Sequence, residues 1–353
     1  MLRSKEVTIY DIAKRLSISP ATVSRALKDN PVVNKKTRKR IFDVAEEMGY
    51  RTNNFARNLR NQQTNTIGVI VPKLNSYFMS TVIAGIEKVL NEAGYNLIIS
   101  QSSESAKKEI ENARTLFNNR VDGVMVSLAY DTEDLSHFEP FYKKNIPVIF
   151  FDRVANHEGS TNVAIDNRKA AYEATRHLID GGNKRIVLIT APIKRNVYVD
   201  RLRGYKQALA DHGIQFNEKY LLINNLTQEA GVEAASHIAR IKPRPEAVFV
   251  ANDNCAVGCI IGLKKIGLRV PEDIAVVGFN NDPVCTVIEP NLTTINYPGY
   301  QMGKAAASSL INHLKGTSLI HTTDTILLRS ELIVRDSSVR QAKSKSAKEI
   351  KRP

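Results

Sequence analysis

Apolar residues at 9, 12, 13 and 16 fall on one face of a helix, and Thr8 stands where a hydroxyl caps its start, so 9–16 predicts a short first helix. A second helix begins at Ser19, with Pro20 in the first position where a missing N–H costs nothing. It turns Ala21, Thr22, Ser24 and Arg25 outward and Val23, Ala26 and Leu27 inward. Asn34 caps a third helix running to Met48 and closed by Gly49. Two short helices on a tight turn read as a helix-turn-helix, whose second helix enters a major groove; a plain helical hairpin with a solvated face is the alternative. Short polar side chains let such a helix sit deep, and Arg25 is long enough to reach a base edge or a phosphate.

The pattern changes after a polar stretch, 50–66, that is rich in Asn, Gln and Arg and has room for a helical turn or two at 54–60. Short apolar runs at 67–71, 96–100, 123–127, 148–151, 185–190, 221–223, 247–251 and 274–277 then predict strands. They alternate with amphipathic helices at 78–93, 106–118, 168–181, 201–212, 229–241, 256–266 and 299–314. Such alternation implies parallel sheets covered on both faces, and there is too much of it for one doubly wound domain. The fold class is an all-α headpiece followed by an α/β core of two doubly wound lobes. Ligands of that class sit at the carboxyl ends of strands, here in the cleft between lobes.

Charge sharpens the division. Residues 1–64 carry 14 Lys and Arg against 6 Asp and Glu, residues 65–334 carry 29 against 28, and residues 335–353 carry 7 against 2. The net charge of +14 therefore belongs to the two ends. Lys35, Lys36, Arg38, Lys39 and Arg40 open the third helix as a footprint for phosphate. The tail 337–353 is basic and poor in apolar residues, with no leucine heptad, and is expected to be disordered.

Other chemistries find little support. Cys255, Cys259 and Cys285 have neither disulfide nor metal-ligand spacing and read as buried thiols, so no metal is expected. No P-loop, G-x-S-x-G or H-E-x-x-H pattern appears, which argues against an enzyme and its cofactors. Neither a signal core nor an apolar run of membrane-spanning length is present, so a cytoplasmic protein without a membrane partner is expected.

Several motifs in order make residues 7–337 resemble the LacI/GalR family of bacterial transcription regulators. Thr-Ile-Tyr-Asp-Ile-Ala from Thr8 and Ser-Pro-Ala-Thr-Val-Ser-Arg-Ala-Leu from Ser19 look like its N-terminal signature. The segment from Asn53 to Arg60 looks like its hinge helix. Ala251-Asn252-Asp253, Gly267-Leu268-Arg269-Val270-Pro271-Glu272-Asp273-Ile274, Val277-Gly278-Phe279-Asn280-Asn281 and Leu292-Thr293-Thr294-Ile295 resemble landmarks of its effector-binding core. The resemblance implies a periplasmic-binding-protein-like core, a homodimer, and pseudo-palindromic operator DNA bound under control of a small effector. It implies a headpiece over 1–52, a hinge helix and linker over 53–65, and a two-lobed core over 66–336.

By position, the resemblance assigns Pro20, Ala21 and Arg25 to base edges and Thr8, Ser19, Thr22, Ser24, Asn34, Thr37 and Tyr50 to phosphates. Leu59 matches the side chain that wedges into the minor groove, with Asn53, Ala56 and Arg60 of the same segment as further DNA contacts. In the core, Tyr77 and Phe78 match aromatic pocket positions, which the residues alone explain equally well as core packing. Asp152 and Arg153 match a polar rim, Arg195 and Arg201 basic contacts, and Asn252 and Asn280 hydrogen-bonding positions. This mixture suits a sugar or sugar derivative. With Lys194, Arg195 and Arg201 close in sequence, a sugar phosphate or sugar acid is also admitted.

Three positions depart from the family's pattern. Ser17 replaces the usual glycine of the turn, Thr52 replaces a common proline before the hinge, and Asn280 replaces an aspartate that many members use on ligand.

Overall fold

The computed structural model describes residues 7–50, 63–318 and 325–340. The chain forms two compact units that divide between Thr64 and Asn65.

The first unit holds α1 (Ile9–Leu16), α2 (Pro20–Ala26) and α3 (Lys35–Glu47) around Ile12, Leu16, Val23, Ile41 and Ala45. Its caps are local chemistry. The Ser19 hydroxyl accepts the Thr22 N–H at 3.1 Å and the Asn34 side-chain carbonyl accepts that of Thr37 at 2.8 Å, each satisfying an otherwise open helix-start donor. At Thr8 the exchange runs the other way, its N–H and hydroxyl both donating to Asp11 Oδ2. Ser17 turns the chain at φ +54°, a left-handed conformation that disfavours side chains beyond glycine.

The second unit has two sheets. In one lobe, β1 (Thr66–Val71), β2 (Asn96–Gln101), β3 (Gly123–Val126), β4 (Val148–Phe151), β5 (Ser160–Ile165) and β11 (Thr325–Leu328) lie in the order β11-β5-β4-β3-β1-β2, all parallel. In the other, β6 (Ile186–Thr190), β7 (Leu221–Ile223), β8 (Ala247–Val250), β9 (Ala275–Asn280), β10 (Thr293–Asn296) and β12 (Glu331–Ile333) lie in the order β12-β10-β9-β8-β6-β7, with β12 alone antiparallel. The chain passes between the sheets after β5, after β10 and after β11.

Helices cover the sheets: α4 (Tyr77–Glu92), α5 (Ala106–Asn118), a short α6 (Glu139–Lys143) and α11 (Gly299–Leu314) in the first lobe; α7 (Asn167–Asp180), α8 (Asn196–Asp211), α9 (Gln228–Arg240) and α10 (Asp253–Lys265) in the second. Close helix pairing depends on glycine. A Cβ on Gly85 of α4 would lie 2.1 Å from the Tyr300 carbonyl of α11, and one on Gly303 2.0 Å from that of Val82.

Three expectations need correction. Strands β5, β10, β11 and β12 carry too many polar residues, or are too short, for an apolar-run reading, yet all of β5 is buried. Helix α8 begins at Asn196 rather than 201, because Val197 and Tyr198 already pack inward in its first turn. Finally, the tail does not leave the fold at 337. Ser337 donates to the Val276 carbonyl at 2.7 Å and accepts the Thr293 N–H at 2.9 Å, and Arg340 reaches Asn183 Oδ1 at 2.8 Å. The Ser337 bonds take up backbone groups where β9 and β10 begin; residues 341–353 lie outside the described ones.

Candidate functional site

Two sites emerge, one on each unit. On the headpiece, α2 presents Ala21 and Arg25 exposed, with Pro20, Thr22 and Ser24 half-exposed beside them. Thr22 is also oriented, its hydroxyl 2.8 Å from that of Ser19. Lys35, Lys36, Lys39 and Arg40 of α3 are exposed, whereas Arg38 is drawn inward onto Asp29 and the carbonyls of Asn30 and Val33. Thr37 and Tyr50 are half-buried, and the Tyr50 ring packs on the headpiece core. An exposed short-chain face flanked by exposed cations is what a helix needs to enter a groove and hold its phosphate walls. Asn53, Ala56, Leu59 and Arg60, with Thr52, lie outside the described residues.

The second site is a cavity of about 560 Å³ between the lobes, at the carboxyl ends of strands from both sheets. Tyr77, Phe78, Asp152, Arg153, Arg201, Asn252 and Asn280 all line it. Phe78 is both wall and core: buried, it stacks on Tyr297 with ring centroids 4.2 Å apart. Tyr77 stands at the mouth, 52% exposed. Asp152 takes a left-handed φ of +59° and accepts the Tyr297 hydroxyl at 2.7 Å and the Ser127 hydroxyl at 3.1 Å, which tethers the crossing segment to the first lobe. Burial and the Asp152 carboxylate hold the Tyr297 phenol well above its ordinary pKa.

Arg153 is gripped from two sides. Glu104 accepts two of its N–H groups, at 2.6 and 3.1 Å, and its guanidinium lies 4.3 Å from the Tyr130 ring centroid. Arg201 is 4% exposed; it donates to Asn167 Oδ1 at 2.9 Å and to the Ala251 carbonyl at 2.8 Å, and stacks 3.6 Å over Phe279. Asn252 caps α10, accepting the Cys255 N–H. Asn280 ends β9 at φ +127°, and Asn281 follows at +61°.

Residues 8–53 match the model of bacterial regulatory proteins of the lacI family, and residues 64–333 match that of the periplasmic binding proteins and sugar binding domain of the LacI family. The chain belongs to the LacI family. It is similar to catabolite control protein A of Priestia megaterium (33% identity; 87% of this chain, 92% of that protein) and to the transcriptional repressor PurR of Vibrio vulnificus (31%; 94% and 98%). Among solved structures it resembles the transcriptional regulator CelR in complex with cellobiose (27% identity, TM-score 0.71; 94% of this chain, all of that one). These relatives are regulators, and this LacI-family chain is a DNA-binding transcriptional regulator rather than an enzyme.

One expected contact of this LacI-family cleft fails. Arg195 is not among the lining residues: it caps the approach to α8 and donates to the Thr132 carbonyl of the opposite lobe, because a half-buried guanidinium beside a free carbonyl is better satisfied there than in the cavity. Its neighbour Lys194 does not line the cavity either.

Among the lining residues that sequence reasoning missed are Tyr130, Tyr198 and Tyr297, together with Glu104 and Asp282. Tyr130 and Tyr198 bridge the lobes with hydroxyls 3.0 Å apart. Only Asp282 carried a signal: Asn280-Asn281-Asp282-Pro283 is a polar turn at the carboxyl end of a strand, where this fold class places ligand. Behind it, fully buried Asp253 accepts the Asp282 N–H at 2.8 Å and the Thr294 hydroxyl at 2.7 Å. Burial and Asp253 push the Asp282 carboxyl up to about 7. All three cysteines are buried free thiols, and burial raises Cys255 to about 12, which leaves it inert at neutral pH.

Among the described residues no helix is long and apolar enough to cross a membrane, and none of their His, Cys, Asp and Glu side chains group to hold a metal ion.

Proposed function

We propose that this chain is a homodimeric repressor that binds pseudo-palindromic operator DNA in the cytoplasm, with an affinity set by a sugar-class effector held in the interlobe cavity. The observation that carries the reading is the outward Ala21-Thr22-Ser24-Arg25 face, with Ala21 and Arg25 exposed, in one chain with the exposed basic start of α3 and a cavity walled by aromatic rings and polar side chains. One headpiece per chain supplies one half-site, so a two-fold operator calls for two chains. Aromatic faces suit the C–H surfaces of a sugar and the Asn and Asp side chains suit its hydroxyls. Similarity to a repressor and to a cellobiose-bound regulator supports the same reading.

An effector moves operator affinity by no more than its differential affinity for the two states of the core.

The test selects bound duplexes from a random library with the full chain, then titrates the winner against salt and against sugars, sugar phosphates and purines. The expected result is a two-fold symmetric site, a steep salt slope, and at least one sugar that shifts affinity for it. No preference over random DNA removes the operator reading; a response to purines alone removes the sugar.

A further inference from the structure

The charge of the cavity decides between the sugar chemistries that the sequence admits, taking as given that the cavity holds a sugar-class effector. Each arginine on its wall is committed. Glu104 holds Arg153 through two hydrogen bonds, reaching it because Ser103 and Glu104 both turn back in the left-handed conformation after β2. The Leu128 carbonyl and the Tyr198 hydroxyl accept further bonds from the same guanidinium. Arg201 is fixed by Asn167, the Ala251 carbonyl and the Phe279 face. Arg195 serves the Thr132 carbonyl outside the cavity, and Lys194 does not line it.

The carboxylates are disposed differently. Glu104, Asp152, Glu229 and Asp282 line the cavity against Lys73, Arg153 and Arg201. Asp282 Oδ1 is buried with no hydrogen-bond partner among the described residues, and Asp253 behind it adds a second acidic group. An unpartnered buried acceptor favours a ligand that donates to it and opposes one that brings a negative charge. A phosphate would come up against this acidic wall and find Arg153 already neutralised.

We propose that the cavity selects an uncharged, hydroxyl-rich sugar over the phosphorylated and acid forms of the same sugar, with Glu104 closing Arg153 to anions and Asp282 accepting a ligand hydroxyl.

The full chain is titrated by calorimetry with glucose, ribose and cellobiose, and with glucose 6-phosphate, ribose 5-phosphate and gluconate. At least one uncharged sugar is expected to bind, and its anionic counterpart at least tenfold more weakly. Glu104→Gln, which frees Arg153, should narrow that ratio about tenfold by gaining the anion. Asp282→Asn should narrow it by losing the uncharged sugar. Thermal melts of the unliganded variants report folding; if Glu104→Gln does not fold, Asp282→Asn carries the mutant arm. An anion that binds the wild type as tightly as its uncharged counterpart overturns the selectivity and leaves the sugar reading standing. A ratio unmoved in every folded variant overturns the assignment of the two residues. Binding by no sugar of either charge removes both readings together.

Discussion

Arginine does opposite work in the two units. Arg25 of the headpiece is exposed and aimed outward on a face of short side chains, while Arg201 of the core is 4% exposed with its guanidinium divided between Asn167, Ala251 and the Phe279 ring. The headpiece leaves cations such as Lys35, Lys36, Lys39 and Arg40 in solvent for a polyanion to find. The core instead uses Arg153, Arg195 and Arg201 to hold two lobes and a cavity in shape. A basic residue near a site therefore says little until its partners are known. Arg38 shows the same within the headpiece, being tied to Asp29 and two carbonyls in the midst of an exposed basic run.

The largest expected effect follows from that difference. Arg201→Ala leaves the Asn167 side-chain oxygen and the Ala251 carbonyl buried without a donor and removes the group stacked on Phe279. At roughly 1–3 kcal/mol for each of the two stranded acceptors, the core should lose on the order of 2–6 kcal/mol of stability. Denaturant unfolding of the full chain measures it. A loss below about 1 kcal/mol would make Arg201 a free ligand contact, contrary to its bonding. The variant is thus a poor probe of effector sensing, because any lost response comes with a weakened core.

Arg25→Ala should behave in the reverse way, leaving unfolding unchanged. Operator binding should fall by about 1–3 kcal/mol if Arg25 reads a base, with preference relaxed at one symmetric pair of positions. An equal loss on operator and random duplexes would make Arg25 a phosphate contact instead. Gel shifts on both duplexes at two salt concentrations separate these outcomes.

What could be read in the chain follows the same line. The headpiece was legible because its determinants are local: Ser19 and Asn34 cap helices by bonding three residues on, and the inward set Ile12, Ala13 and Leu16 falls at helical spacing. The central strands of both lobes were legible as continuous apolar runs. Strand β5 was not, since its Ser160, Thr161 and Asn162 look like a loop and are buried only because β4 and β11 flank them. The cavity was half legible. Tyr77, Asp152 and Asn280 sit at the ends of recognisable elements, but Glu104 matters only through Arg153, 49 residues away, and Tyr297 through Asp152, 145 away. No local pattern carries such pairings.

Acid–base behaviour gives a finer contrast. Asp282 has its carboxyl raised to about 7 by burial and by Asp253, with the nearby Asn280 side chain pulling it slightly down. An acid raised in the folded state gives stability that is full below its unfolded value, near 4, and lost as pH climbs through about 7. Asp282→Asn cannot ionise, so its thermal midpoint should gain on the wild type between pH 4 and 7 and hold that gain above 7. A difference that stays flat across this range would mean that Asp282 is solvated like a surface carboxylate.

The smallest effect belongs to the turn that joins the first two helices. Ser17 ends α1 at φ +54° and ψ +42°, with its N–H bonded back to carbonyls of the last turn. That is the left-handed closure at which glycine meets no Cβ penalty, whereas a side chain there costs about 1 kcal/mol. The Ser17 side chain is exposed and no hydrogen bond to it offsets the cost among the described residues. Glycine also has more freedom to lose on folding, which returns part of the gain. Ser17→Gly should therefore stabilise the headpiece by only about 0.5 kcal/mol, read as slower amide exchange at Ile12 and Val23 with no change at core amides such as Val248. Faster exchange at the two headpiece positions would show that entropy outweighs strain, and that Ser17 holds the turn rather than straining it.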